Sequence, residues 1–71
     1  MKYEELPEKQ KIIIEQMKKT RIRRVRWLLK NTDDSYQVIA DTVTEEFKEW
    51  LGKYTKQSVM NVNKKYKVRN K

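Results

Sequence analysis

With 71 residues, 18 Lys or Arg against 10 Asp or Glu, a formal charge of +8 and neither Cys nor His, the chain reads as one small basic domain. Without Cys and His there are no disulfides, Cys/His zinc sites, thiol nucleophiles or imidazole acid–base groups, so a non-enzymatic protein without metal or cofactor is expected. The longest aliphatic run, Ile12-Ile13-Ile14, is too short for a membrane span or a signal-peptide core, which points to a cytoplasmic protein with no membrane or small-molecule partner.

Helix A is expected over about residues 7–19, because Pro7 suits a first turn, Glu4, Glu5 and Glu8 suit the positive helix start, and Lys18 and Lys19 suit its end. Its apolar residues Leu6, Ile13, Ile14 and Met17 share one side. Ile22, Val25, Leu28 and Leu29 define a stripe out of phase with Met17, so either the helix bends near Thr20 or Thr20 caps a second helix, B, over about 21–30. The segment Asn-Thr-Asp-Asp-Ser at 31–35 is a turn and cap cluster in which Thr32, Asp33 or Asp34 can supply the capping oxygen.

Helix C follows over about 35–51, with Tyr36, Ile39, Ala40, Val43, Phe47, Trp50 and Leu51 recurring at steps of three and four and Asp41, Glu45 and Glu49 on the opposite face. Gly52 is read as its left-handed stop. Thr55 caps helix D, about 56–66, which turns Val59, Val62 and Tyr66 inward, and the basic tail 67–71 frays. The sequence thus predicts a single all-α domain, 1–71, of four helices with no wing.

Charge is sorted along these elements. Residues 18–31 and 53–71 each carry seven basic residues and no acid, whereas 32–52 carry six acids and one lysine. Two acid-free blocks fit a polyanion, with nucleic acid the leading candidate. A basic run is often only a solvated face, but residues 53–71 forgo every pairing three or four positions apart that mixed charge would allow. On helix D the outward Gln57, Met60, Asn61 and Lys64 suit base edges: amides match adenine, lysine matches guanine and methionine meets a thymine methyl. Lys53, Thr55, Lys56, Lys65, Lys67 and Arg69, with Gln37 near the start of helix C, are the expected phosphate contacts.

Arg21, Arg23, Arg24 and Arg26 form a secondary basic patch that can touch phosphate or pair across the fold with acids of helices A and C. Trp27 faces away from the apolar stripe and suits packing, a dimer contact or base stacking, whereas Trp50 reads as core or interface. The pairs Asp33/Asp34 and Glu45/Glu46 do not form a metal site, since adjacent side chains on a helix project about 100° apart.

The segments Arg21-Ile-Arg-Arg-Val-Arg-Trp-Leu-Leu-Lys, Ser35-Tyr-Gln-Val-Ile-Ala and Thr55-Lys-Gln-Ser-Val-Met-Asn-Val-Asn-Lys-Lys-Tyr resemble the three helices of helix-turn-helix DNA-binding domains. Ile39-Ala40 looks like the paired residues of the second helix in that superfamily, and Thr55 with Ser58-Val59 looks like the cap and seat of the recognition helix. Eleven residues between Ala40 and Gly52 make the second helix and turn longer than in the tight repressor motif and more similar to the transposase and arginine-repressor variants. Leu6-Pro-Glu-Lys-Gln-Lys-Ile-Ile-Ile with Ser35-Tyr and Ile39-Ala40 is also similar to the promoter-binding region of sigma factors, although the two pieces lie too far apart for that family.

The resemblance implies sequence-dependent binding of double-stranded DNA, as a transcriptional regulator of a phage or other mobile element, nucleoid-associated when bound. One protomer reads only a short half-site, so useful specificity calls for a homodimer or a partner. Two alternatives stand beside it: RNA binding through the arginine-rich helix B, and an adaptor that docks on an acidic host protein surface.

Overall fold

The computed structural model describes residues 3–69, and every regular element within them is helical. A single 3-10 turn, Tyr3–Glu5, precedes α1 (Glu8–Asn31), α2 (Tyr36–Glu46) and α3 (Lys56–Tyr66). The all-α expectation holds, but the four-helix expectation does not: helices A and B are one helix of 24 residues, about 36 Å long at 1.5 Å per residue. No Pro or Gly interrupts residues 8–31, and the Thr20 hydroxyl donates back to the Gln16 carbonyl at 2.9 Å, the bond of a threonine inside a helix.

The apparent break in phase has a specific cause. Ile14, Met17, Val25 and Leu28 lie on one stripe of α1 whose missing member is Arg21, four positions from both Met17 and Val25. Arg21 fills that inward position by laying its guanidinium 4.5 Å from the centre of the Tyr54 ring. A cation in an apolar register made one stripe resemble two.

α2 ends at Glu46, not near residue 51, because Phe47 leaves helical geometry at φ −112° and ψ 15°. Residues 47–50 form a turn in which the Trp50 and Leu51 amides donate to the Phe47 carbonyl at 3.1 and 2.9 Å. That turn keeps a four-residue step from Phe47 to Leu51, so the apolar rhythm continues beyond the helix itself. Trp50 stays 45% exposed and does not join the core. Gly52 is not the left-handed stop; the one described residue with positive φ is Lys67, at φ 51° and ψ 48°, which terminates α3.

Ser35, rather than Thr32, Asp33 or Asp34, caps α2, its hydroxyl accepting from the Val38 amide at 3.2 Å. Thr55 caps α3 as expected, accepting from the Ser58 amide at 3.1 Å. Between these caps the Thr44 hydroxyl donates to the Ala40 carbonyl at 2.7 Å and accepts the Tyr54 amide at 2.9 Å, tying the connection that leads into α3 back onto α2.

The core joins Val25, Leu28 and Leu29 of α1 to Ile39, Ala40 and Val43 of α2 and Val59 and Val62 of α3, closed by Phe47 and Tyr54. Met17 is the first α1 residue that packs on it, while Ile12 and Ile13 stay 50% and 43% exposed. Among the described residues no helix is long and apolar enough to cross a membrane.

Candidate functional site

The exposed face of α3 carries Gln57, Met60, Asn61 and Lys64, the four residues expected to meet bases. Gln57 Nε2 donates to Asn61 Oδ1 at 3.1 Å, so the two amides form one ordered unit with further donors and acceptors turned to solvent. Together with Tyr36 and Lys67 they line an open groove of about 720 Å³ beside α3. Lys53, Lys56, Lys65 and Lys67 are exposed, Lys67 on the groove itself and Lys65 with its ammonium 5.5 Å from the Tyr66 ring, and none of them has a carboxylate partner among the described residues.

Arg69, expected as a phosphate contact on a frayed tail, is instead a structural clasp. Its guanidinium donates to the carbonyls of Leu29 at 2.8 Å, Asp34 at 2.8 Å and Thr32 at 2.7 Å. Its amide donates to Oδ1 of Asn63 at 2.7 Å, while Asn63 Nδ2 donates to the Tyr36 hydroxyl at 3.1 Å. Asn63 is thereby buried with both ends of its amide satisfied. At the end of α1 the Leu28 carbonyl accepts the Thr32 amide at 3.0 Å and the Thr32 hydroxyl at 2.7 Å, and the Trp27 carbonyl accepts the Asn31 side chain at 3.0 Å. Arg69 takes the next carbonyl, that of Leu29, with a cation at the negative end of the helix dipole. The tail positions 70–71 lie outside the described residues.

Two further expected phosphate contacts also make bonds within the fold. Thr55 spends its hydroxyl on the α3 cap and a 3.0 Å contact with Ser58, and Gln37 donates to Asp41 at 3.0 Å, which seats it on the acidic side of α2.

The secondary basic patch divides. Arg24 meets Glu46 through paired bonds of 3.1 Å and lies 5.0 Å from the Trp27 ring, and Arg21 packs on Tyr54 with its Nε buried and without a partner. Burial pushes the Arg21 guanidinium below its ordinary pKa and the Tyr54 hydroxyl above its own, the nearby Arg21 charge opposing the latter. Arg23 and Arg26 remain exposed on the opposite flank of α1. On the acidic side, a 2.6 Å contact with Glu45 raises the Lys48 pKa. No group of three acidic side chains suited to a metal ion occurs among the described residues.

The result is a directional surface: lysines and joined amides around α3, acids of α2 neutralised locally or turned elsewhere. Comparison with protein-family models, curated proteins and solved structures gives no match, so what this surface does must be read from its own chemistry.

Proposed function

We propose that the chain binds double-stranded DNA sequence-dependently, with α2 and α3 acting as a helix-turn-helix-like pair and α3 entering the major groove. The observation that carries this reading is the outward face of α3, where the bonded Gln57–Asn61 amide pair and Lys64 stand in an acid-free setting. An amide held by its neighbour is preorganised to offer a donor and an acceptor to an adenine edge, and lysine suits guanine. Lys53, Lys56, Lys65 and Lys67 supply phosphate contacts around it, and the Thr44 and Thr55 bonds fix the angle at which α3 is presented. Regulation of transcription is the role such a domain would serve.

In the arginine-rich segment of α1, Arg21 and Arg24 are engaged with Tyr54 and Glu46, which leaves Arg23 and Arg26 as its exposed arginines.

Selection from a random duplex pool tests the proposal. Enrichment of a defined motif is expected, palindromic if the binding unit is a dimer. Asn61→Ala should relax preference at one base pair, costing about 1–3 kcal/mol there, whereas Lys56→Ala should weaken all sequences alike and flatten the salt dependence. No enrichment, or unchanged selectivity in Asn61→Ala, would overturn the reading.

A further inference from the structure

Lys67 also lines a second open groove, of about 800 Å³, formed between the last turns of α1 and the end of α3. Its wall on α1 is Arg23, Arg26, Trp27 and Lys30, and Tyr66 closes the other side. No carboxylate lines this groove, and none of its four cations has an acidic partner among the described residues. Arg23, Trp27 and Lys30 follow at steps of four and three, so a ring stands between two cations along one face of the helix.

The rings are exposed but not loose. Trp27 is 52% exposed and Tyr66 39%. Arg24, itself fixed by Glu46, supports Trp27 from 5.0 Å, and Arg26 supports Tyr66 from 4.2 Å. An indole held in place and open to water beside unpaired cations is the arrangement that stacks an unpaired base and holds the phosphates on either side of it. A duplex, whose bases are already stacked, would leave the ring unused.

We propose that this groove binds a single-stranded nucleic acid segment, with one base on Trp27 and the flanking phosphates on Arg23, Lys30 and Lys67. The site is separate from the α3 face and shares only Lys67 with it.

The test uses the full chain carrying Trp50→Phe, so that intrinsic fluorescence reports Trp27 alone. Titration with a short oligothymidylate, and in parallel an oligouridylate, should quench that signal saturably, since stacking and phosphate contact need neither strand chemistry in particular. Arg23→Gln with Lys30→Gln, both at exposed positions, should weaken binding about tenfold or more with unchanged circular dichroism. Gln57→Ala with Asn61→Ala should leave the quenching intact even if duplex binding is lost, which separates this site from the α3 reading. Absence of saturable quenching, undiminished binding in the Arg23/Lys30 variant, loss of quenching in the Gln57/Asn61 variant, or equal competition by an oligoglutamate peptide would each overturn the proposal.

Discussion

The guanidinium of Arg69 donates to the carbonyl of Leu29 across 40 positions of sequence, at 2.8 Å, and continues to the carbonyls of Thr32 and Asp34. One planar group therefore closes the end of α1 and the start of the connection to α2. Arg69→Ala should destabilise the domain by about 2–4 kcal/mol, since several charge-assisted bonds are lost and half-buried carbonyls are left unmade. Arg69→Lys should recover little, because one ammonium cannot reproduce the guanidinium fork. Urea unfolding followed by circular dichroism measures both, and a wild-type midpoint for Arg69→Ala would show that water replaces the clasp.

Lys67 holds a left-handed conformation that costs a non-glycine residue about 1–2 kcal/mol. Lys67→Gly should raise stability by about 1 kcal/mol while weakening nucleic-acid binding irrespective of sequence. Lys67→Ala keeps the strain and loses the charge. Opposite signs in stability and affinity for the glycine variant, against a loss of affinity alone for alanine, are expected from paired unfolding and anisotropy measurements.

Burial raises the Tyr54 pKa above its ordinary value of about 10. The folded state therefore retains this proton where the unfolded chain releases it. Stability contributed by neutral Tyr54 is complete below about pH 10 and falls as the pH climbs from there through the raised folded value. In Tyr54→Phe that part of the decline should vanish, as read from unfolding midpoints between about pH 8 and pH 11 in the two proteins.

Thr44→Val retains shape but removes the acceptor of the Tyr54 amide and the bond to the Ala40 carbonyl. A cost of about 1–3 kcal/mol is expected, with Thr44→Ser close to wild type. Since Tyr54 directly precedes the α3 cap, duplex affinity should fall further in Thr44→Val than in a surface variant of equal stability. Equal affinity at matched stability would separate the connection from the placement of α3.

What the sequence disclosed follows the range of the interactions involved. Thr55 and the inward Val59 and Val62 were legible because a cap and a helical stripe are local patterns, and the exposed lysines of α3 followed from the same wheel. The turn after Glu46 hid behind apolar spacing that a helix and a four-residue turn share. Arg21 split the α1 stripe because its seat on Tyr54 is a tertiary contact. Arg24 was open in the sequence between phosphate and an acid of helix C, and the fold chooses Glu46, whereas Arg69 read as a tail cation because its partners lie 35 to 40 residues away, where sequence pattern is silent. Local chemistry thus marked the α3 face, whereas the fates of individual arginines needed the fold.

The clasp also sets a schedule for folding. Translation delivers α1, its capping threonine and α2 long before residue 69, so the junction between these helices waits for a side chain 37 to 40 positions further on. Until then a nascent protein can hold three helices while the turn joining the first two remains unlatched. A release at residue 67 would leave the lysine-bearing face of α3 without the fastening behind it.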